Sequence, residues 1–221
     1  MKKKNKPSVI SGVSAGAVVG ALLCAGKSAE EIHQLLKSQS VLNIGNPSLT
    51  TKGLLRFKGL RKLIKDNVKV SNIEDLKTPL HVVVTNLYSG KAEYLTEGPI
   101  DKLVAASASI PVLFTPLKYK NALCADEDII DNLGAKPLKG KCDKIIGMSL
   151  SHVDHKGDIN GMVDIALRVF HLTVNANTQG SNKLCDILIE PKGIGEFPIL
   201  SSDKSDEAFE IGYEAAKLGD L

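Results

Sequence analysis

The chain has 221 residues, with 28 lysines and arginines against 25 aspartates and glutamates and a formal net charge of +3. This small excess, the absence of tryptophan and an aromatic content of 4% argue against a nucleic-acid-binding surface. The cysteines Cys24, Cys124, Cys142 and Cys185 form no Cys-x-x-Cys pair and have no histidine at metal-ligand spacing. We therefore expect no disulfide framework and no metal site, and reduced thiols favour a cytoplasmic protein.

The length suits one domain, and the sequence shows no internal repeat or low-complexity linker. No apolar run reaches the ~20 residues that span a bilayer, so a soluble or at most peripheral protein is expected. We predict a single α/β domain over residues 1–221, because helical and strand patterns alternate along the chain.

The first pattern in chain order is Gly12-Val13-Ser14-Ala15-Gly16, which follows the short apolar run at 8–11 and precedes the helix-prone residues 17–23. A serine at a sharp strand-to-helix turn needs neighbours that are nearly free of side chains, and Gly12 and Gly16 meet that need. The helix that follows would direct its N-terminal N–H groups toward a developing oxyanion. The stretch predicts a nucleophile elbow with Ser14 as the nucleophile.

A secretory or lipoprotein leader is the alternative for this region, because Lys2, Lys3, Lys4 and Lys6 precede an apolar stretch that ends at Cys24. Leu23 is large for the position before a lipoprotein cleavage site. Ser28 and Glu31 have the spacing of a capping box, with an amphipathic helix behind them. These features favour a folded segment over a leader.

The remaining elements follow from hydrophobic periodicity and turn residues. In chain order we predict helices at 30–38 and 54–65, a strand at 80–85, a hairpin-like turn at Ser89-Gly90, a helix at 101–107, a buried parallel strand at 144–150, a helix at 159–178, a strand at 187–189 and a helix at 205–218.

Four segments in this order resemble the patatin-like phospholipases, a family of bacterial lipid acyl hydrolases. They are Ile10-Ser11-Gly12-Val13-Ser14-Ala15-Gly16-Ala17 with Gly20-Ala21, residues 105–116 (AASASIPVLFTP), residues 126–133 (DEDIIDNL), and residues 185–191 (CDILIEP) with 212–216 (GYEAA). The segments span nearly the whole chain, so their joint order is more specific than any one of them.

The resemblance implies a three-layer α/β/α fold with a mostly parallel central sheet and the elbow near the N-terminus. It also implies hydrolysis of lipid esters by a Ser-Asp dyad, with Ser14 as nucleophile and Asp126 as base, and no metal or organic cofactor. In that arrangement Gly12, Val13, Ala15 and Gly16 frame the nucleophile. Burial and neighbouring negative charge, from Glu127 and Asp128, would raise the pKa of the base and strengthen it.

The sequence departs from the family at Glu127 and Asp128, which stand where the family has two small residues. A side chain forced into a glycine conformation costs ~1–2 kcal/mol, so strain is expected here. The alternative interpretation of this acidic trio is a solvated surface turn, and Asp131 would then be the next candidate base.

The family also has a strand and a Gly-rich oxyanion loop before the elbow strand, whereas residues 1–6 contain no glycine. The loss of one oxyanion donor costs ~10²–10³ in turnover. We therefore expect reduced activity in this chain. An exposed sheet edge beside the elbow strand would favour self-association or a strand from a partner.

Two other functions remain open from the sequence. An ordinary α/β-hydrolase triad would use His152, His155 or His171, although such folds place several strands before the elbow. A non-catalytic paralogue would keep the cleft as a lipid-binding or interaction module. A basic helix offers peripheral contact with anionic membranes, at ~1 kcal/mol for each basic residue near the surface; its residues are Arg56, Lys58, Arg61, Lys62 and Lys65.

Overall fold

The computed structural model describes residues 6–38, 46–47, 55–127, 130–150, 159, 161–177, 179–194, 197 and 204–218. Its strands are β1 (Ile10–Val13), β2 (Asn46–Pro47), β3 (Leu55–Arg56), β4 (Leu80–Asn86), β5 (Lys91–Leu95), β6 (Leu117–Tyr119), β7 (Ala122–Asp126), β8 (Ile146–Met148) and β9 (Ile187–Ile189). Its α-helices are α1 (Ala15–Cys24), α2 (Ala29–Lys37), α3 (Lys58–Asn67), α4 (Ile100–Ser107), α5 (Met162–Asn177), α6 (Gln179–Asn182) and α7 (Ser205–Leu218).

Strand β4 is the centre of a five-stranded sheet. It pairs in parallel with β1 over 80–83, and antiparallel with β5 over 82–86 and with β7 over 84–86. Val82 and Val83 thus have β1 and β5 as neighbours, whereas residues 84–86 have β5 and β7. Because a strand has two edges, β1 and β7 share one edge of β4 and β5 takes the other. β6 continues the sheet beyond β7.

The strand directions follow from the connections. A four-residue turn that ends at Gly90, with φ at 64°, joins β4 to β5, and a two-residue turn joins β6 to β7. Turns this short connect only antiparallel neighbours. The α/β fold with its elbow near the N-terminus is confirmed, and β1, β4 and β6 run in one direction. The pairings within this sheet are mixed, since only the β1–β4 pairing is parallel.

One face of the sheet is covered by helices. Leu80, Val82 and Val84 alternate toward this face and are at most 1% exposed. Helix α1 approaches the sheet closely, because a Cβ at Gly20 would lie 3.1 Å from the side chain of Ile10. Helices α1, α3 and α4 contribute the other buried side chains of this core, among them Ala17, Ala21, Leu22, Leu60, Ile64, Leu103 and Val104.

The opposite face is covered, within the described residues, by the segment that follows β7. A Cβ at Gly134, whose φ is 64°, would lie 3.0–3.1 Å from the side chains of Val83, Ser11 and Val13. Ser11 Oγ donates a 2.6 Å hydrogen bond to the carbonyl oxygen of Gly134. A 3-10 turn at Lys136–Leu138 belongs to the same segment. The third layer described here is therefore a close-fitting loop with short helical turns.

Two predicted elements need correction. The helix expected at 54–65 begins at Lys58, because Leu55 and Arg56 form β3 and the Leu55 N–H donates to the Leu113 carbonyl. The strand expected at 144–150 is β8, parallel to β9, but Ile146 and Met148 are 48% and 47% exposed. Its apolar sequence therefore does not reflect burial of both faces in the described structure.

Helix α5 packs beside the segment that follows α4. Phe170 and Val174 are buried against Ile110, Leu113 and Phe114. None of the helices in the described ranges is both long and apolar enough to cross a lipid bilayer.

Candidate active site

Ser14 lies at the junction of β1 and α1 and has the strained backbone expected of a nucleophile elbow. Its φ of 51° and ψ of −121° lie outside the conformations that non-glycine residues usually adopt. Gly12 makes this turn possible, because a Cβ at position 12 would lie 2.4 Å from the carbonyl oxygen of Gly16. A Cβ at Gly16 would meet no atom within 4 Å. The contact that requires glycine is therefore at Gly12.

The elbow presents its serine toward solvent. Ser14 is partly exposed and Ala15 and Gly16 are exposed, whereas Gly12 and Val13 are buried. Ala15 and Gly16 lie in the first turn of α1, where N–H groups have no intrahelical acceptor. Backbone donors and the positive end of the helix thus lie beside the serine hydroxyl.

Ser107, at the end of α4, holds the elbow against β4. Its hydroxyl donates a 2.6 Å hydrogen bond to the Val83 carbonyl and accepts a 3.0 Å bond from the Ser14 N–H. Ser107 is fully buried. The Ser107 hydroxyl therefore links the end of β1 to the central strand β4 through two hydrogen bonds.

Asp126 is the last residue of β7 and is fully buried. Its N–H donates a 3.0 Å hydrogen bond to the Ser109 carbonyl, and the Ser109 hydroxyl bonds back to Ala105 within α4. The interpretation of this region as a solvated surface turn is wrong for Asp126 and Glu127, because neither side chain is exposed. Asp128 lies outside the described residues.

The sheet brings the ends of β1 and β7 together. Val13 pairs with Val83 and Asp126 pairs with Val84, so the two strands end toward each other along one edge of β4. Ser14 follows Val13 directly. The end of α4 lies at the same junction, because Ser107 bonds to Ser14 and Ser109 bonds to Asp126. Ser14 and Asp126 therefore meet at one point of the fold although 112 positions separate them in sequence.

Glu127 projects to the other face of the sheet. Its side chain accepts a 2.5 Å hydrogen bond from Thr85 Oγ1. Burial, with smaller contributions from the charges of Asp131 and Asp126, raises its pKa from the ordinary 4.5 to about 7, although the bond from Thr85 opposes this rise. Its φ is not positive, so the strain expected from replacing a glycine does not arise at Glu127.

Asp131, the second candidate base, lies on the same face of the sheet as the Glu127 side chain. Its carboxylate accepts hydrogen bonds from Tyr94 and Ser181 and lies 3.5 Å from the ammonium group of Lys136. Burial and the bond to Asp131 raise the pKa of Tyr94 above its ordinary value. With three partners of its own, Asp131 has a structural role here.

The histidines required by a Ser-Asp-His triad are not placed at the elbow by the described structure. His152 and His155 lie outside the described residues, as does the side chain of His171. His33 lies 2.8 Å from Asp206 at the surface. His81 alternates to the face opposite Val82, and burial together with Lys141 lowers its pKa.

Much of the basic helix is paired with carboxylates of the chain itself. Arg61 and Lys65 lie 2.8 and 3.6 Å from the buried carboxylate of Asp101. Lys62 lies 2.5 Å from Asp66. Lys58 is exposed, and the side chain of Arg56 lies outside the described residues. These internal pairs reduce the charge that the helix offers to an anionic surface.

Three residues of the site, Thr85, Ser107 and Ser109, were not predicted from the sequence. Ser107 and Ser109 lie in the alanine-serine segment that carries part of the family resemblance, so that segment was a usable signal. No sequence pattern pointed to Thr85, because its role depends on Glu127, which is 42 positions away.

The model of the patatin-like phospholipase family matches residues 2–139. Similar proteins include an uncharacterized NTE family protein of Mycobacterium tuberculosis, 34% identical over 145 residues that cover 64% of this chain and 40% of the relative. A lysophospholipase nte1 of Aspergillus fumigatus is 22% identical over 245 residues, which cover 95% of this chain and 16% of the relative. The matched region thus covers less than half the length of each of these relatives.

The matched region contains β1 through β7, and with them the elbow, the alanine-serine segment and Asp126. Both the sequence match and the strained serine at a strand-to-helix turn point to the same conclusion. The chain belongs to the patatin-like phospholipase family.

Proposed function

We propose that this chain hydrolyses carboxylic esters of lipids through a Ser14–Asp126 dyad and an acyl-enzyme intermediate. The observation that carries the proposal is the strained, partly exposed Ser14 at the point where β1 and β7 end toward each other. The name of the fungal relative, a lysophospholipase, supports a lipid ester with a single acyl chain as the first substrate to test.

In the proposed reaction Ser14 Oγ attacks the ester carbonyl while Asp126 takes its proton. The oxyanion that forms would lie at the N-terminus of α1, where the N–H of Ala15 is the donor that follows the nucleophile. Asp126 then protonates the departing alcohol. Water hydrolyses the acyl-Ser14 ester by the same path, with Asp126 again as base, and this regenerates both residues.

The burial of Asp126 favours its proposed role as the base. A carboxylate in water is a weak base toward a serine hydroxyl, whereas Asp126 is fully buried and lies next to Glu127. The Ser107 and Ser109 bonds fix the backbones of nucleophile and base relative to each other. Such fixed geometry contributes to rate because the reacting groups need no reorganisation.

The test is hydrolysis of lysophosphatidylcholine and p-nitrophenyl butyrate by the wild-type chain, Ser14→Ala and Asp126→Asn, with fluorophosphonate labelling in parallel. We expect each variant to lose turnover by about 10³-fold or more, and Ser14→Ala to lose labelling. Asp131→Asn is the matched control, because it neutralises a buried carboxylate on the far side of the sheet.

Retained activity in Asp126→Asn with loss in Asp131→Asn would transfer the role of base to Asp131. Wild-type protein that neither turns over nor labels, yet binds lysolipid micelles, would instead support a non-catalytic lipid-binding module.

A further inference from the structure

We propose that Glu127 is a positioning residue that fixes the turn carrying Asp126 and tunes, through its own charge, the strength of Asp126 as a base. This inference rests on the proposed dyad and adds to it a residue on the opposite face of the sheet. It starts from the departure from the family pattern at position 127, where a buried carboxylate stands instead of a small residue.

The backbone of Glu127 closes the turn that follows the base. Its carbonyl oxygen accepts the N–H groups of Ile130 at 3.0 Å and of Asp131 at 3.2 Å. Its side chain is tied to β4 by the 2.5 Å bond from Thr85 Oγ1. Consecutive residues at the end of a strand point to opposite faces, so Glu127 anchors one face while Asp126 serves the other.

Glu127 is fully buried, and its surroundings are rich in negative charge. Asp126 precedes it on β7, Asp131 follows in the covering segment, and Lys136 in the same segment supplies one nearby cation. From β4 comes Thr85, and from β5 comes Tyr94, whose pKa the charge on Glu127 helps to raise. Within the described residues Glu127 Oε1 has no hydrogen-bond partner, so its ionised form is poorly compensated.

Ionisation of Glu127 therefore falls near neutral pH. Below a pKa of about 7 the side chain is neutral and Asp126 is relieved of its repulsion; above it, a second negative charge lies beside the base. Repulsion between two carboxylates is mutual, so the charge on Glu127 makes Asp126 hold a proton more strongly. A stronger base takes the serine proton more readily, and the rate should rise as Glu127 ionises.

The first arm of the test measures the coupling without any turnover. Carboxyl ¹³C NMR follows the titration of Glu127 in the wild type and in Asp126→Asn. We expect the midpoint, near pH 7 in the wild type, to fall in the variant, because the repulsion from Asp126 is removed. An unchanged midpoint would overturn the proposal.

The second arm compares pH profiles of kcat/KM. The wild type should show a rise of about threefold near pH 7, because a base strengthened by a neighbouring charge takes the serine proton more readily. Glu127→Gln should lose this rise. Asp131→Asn is the control. It should keep the rise in kcat/KM but show it at a lower pH, since Asp131 also raises the pKa of Glu127. The same rise at the same pH in Glu127→Gln would overturn the proposal.

Thr85→Val keeps the carboxyl group and covers the case in which Glu127→Gln does not fold. The bond from Thr85 lowers the pKa of Glu127, so its loss should move the rise to higher pH. A rise that stays in place would contradict the coupling. Turnover that survives in Ser14→Ala would refute the dyad and with it the tuning of a base, while the NMR arm would still decide whether Glu127 and Asp126 are coupled.

Discussion

Glu127→Gln should make the stability of this protein less dependent on pH. Glu127 is fully buried, and burial raises its pKa from 4.5 to about 7. At about 1.4 kcal/mol per pKa unit, this rise corresponds to about 3 kcal/mol of folding free energy. The glutamine side chain of the variant cannot ionise, and its amide oxygen can still accept the hydrogen bond from the Thr85 hydroxyl.

The sign follows from where the proton is held. The folded-state pKa lies above the unfolded value, so the folded protein binds the proton more tightly between pH 4.5 and about 7. This contribution to stability is fully present below pH 4.5, falls as the pH rises, and is lost above about pH 7. The variant has no such loss, so relative to the wild type it gains about 3 kcal/mol between pH 4.5 and pH 8.

Urea unfolding at pH 4.5, 6 and 8 measures this difference, and thermal unfolding gives a check. For a chain of this size the gain corresponds to a relative rise in Tm of about 6–12 °C at pH 8. Glu207→Gln, which removes an exposed carboxylate on α7, controls for the change in net charge. A difference between wild type and Glu127→Gln that is the same at pH 4.5 and pH 8 would refute the reasoning.

Three further predictions follow from particular contacts. Gly12→Ala should lower Tm by more than about 10 °C or prevent folding, because its Cβ would lie 2.4 Å from the Gly16 carbonyl oxygen. The added Cβ of Gly16→Ala meets no atom within 4 Å, so the Tm of this variant, measured by calorimetry, should stay within about 2 °C of wild type. Similar losses of Tm in both variants would contradict the elbow geometry. Ser107→Ala should cost about 2 kcal/mol in urea unfolding and slow fluorophosphonate labelling of Ser14, because it removes one buried and one partly buried hydrogen bond. Ser109→Ala keeps the carbonyl that binds Asp126 and should label at close to the wild-type rate. Cys24 and Cys124 should resist iodoacetamide at pH 8 until the chain unfolds, since burial raises the pKa of each thiol from 9.0 to about 11. Peptide mass spectrometry measures the modification, and rapid modification of either thiol in the native state would contradict this prediction.

The dyad proposal and the Glu127 proposal make separable demands on the molecule. The first requires a reactive Ser14 and a base at Asp126, whereas the second requires that the charges of Asp126 and Glu127 respond to each other across the end of β7. Because the NMR titration needs no substrate, a failure of the coupling can be told apart from a failure of the dyad.

Local chemistry in the sequence determined the elbow and several helices. Gly12 and Gly16 around Ser14 restrict the backbone within five residues, and the capping box predicted for Ser28 and Glu31 is present with both of its bonds. The strand at 187–189 and the helix at 205–218 have the predicted limits. These features could be predicted because steric and capping effects act between residues that are close along the chain.

Strands β6 and β7 were not predicted, because they are short and β7 pairs with β4, which lies far away in the chain; β5 was indicated only by the hairpin-like turn at Ser89-Gly90. The residues alone could not decide between a buried base at Asp126 and a solvated turn, since a run of acidic residues ordinarily indicates a solvated turn. Only the tertiary structure places β1 and β7 on one edge of β4, and so brings residues 14 and 126 together. It also supplies Thr85, from 42 positions away, as the partner of Glu127. Contacts of this kind depend on the assembled sheet, whereas the elbow depends on five consecutive residues.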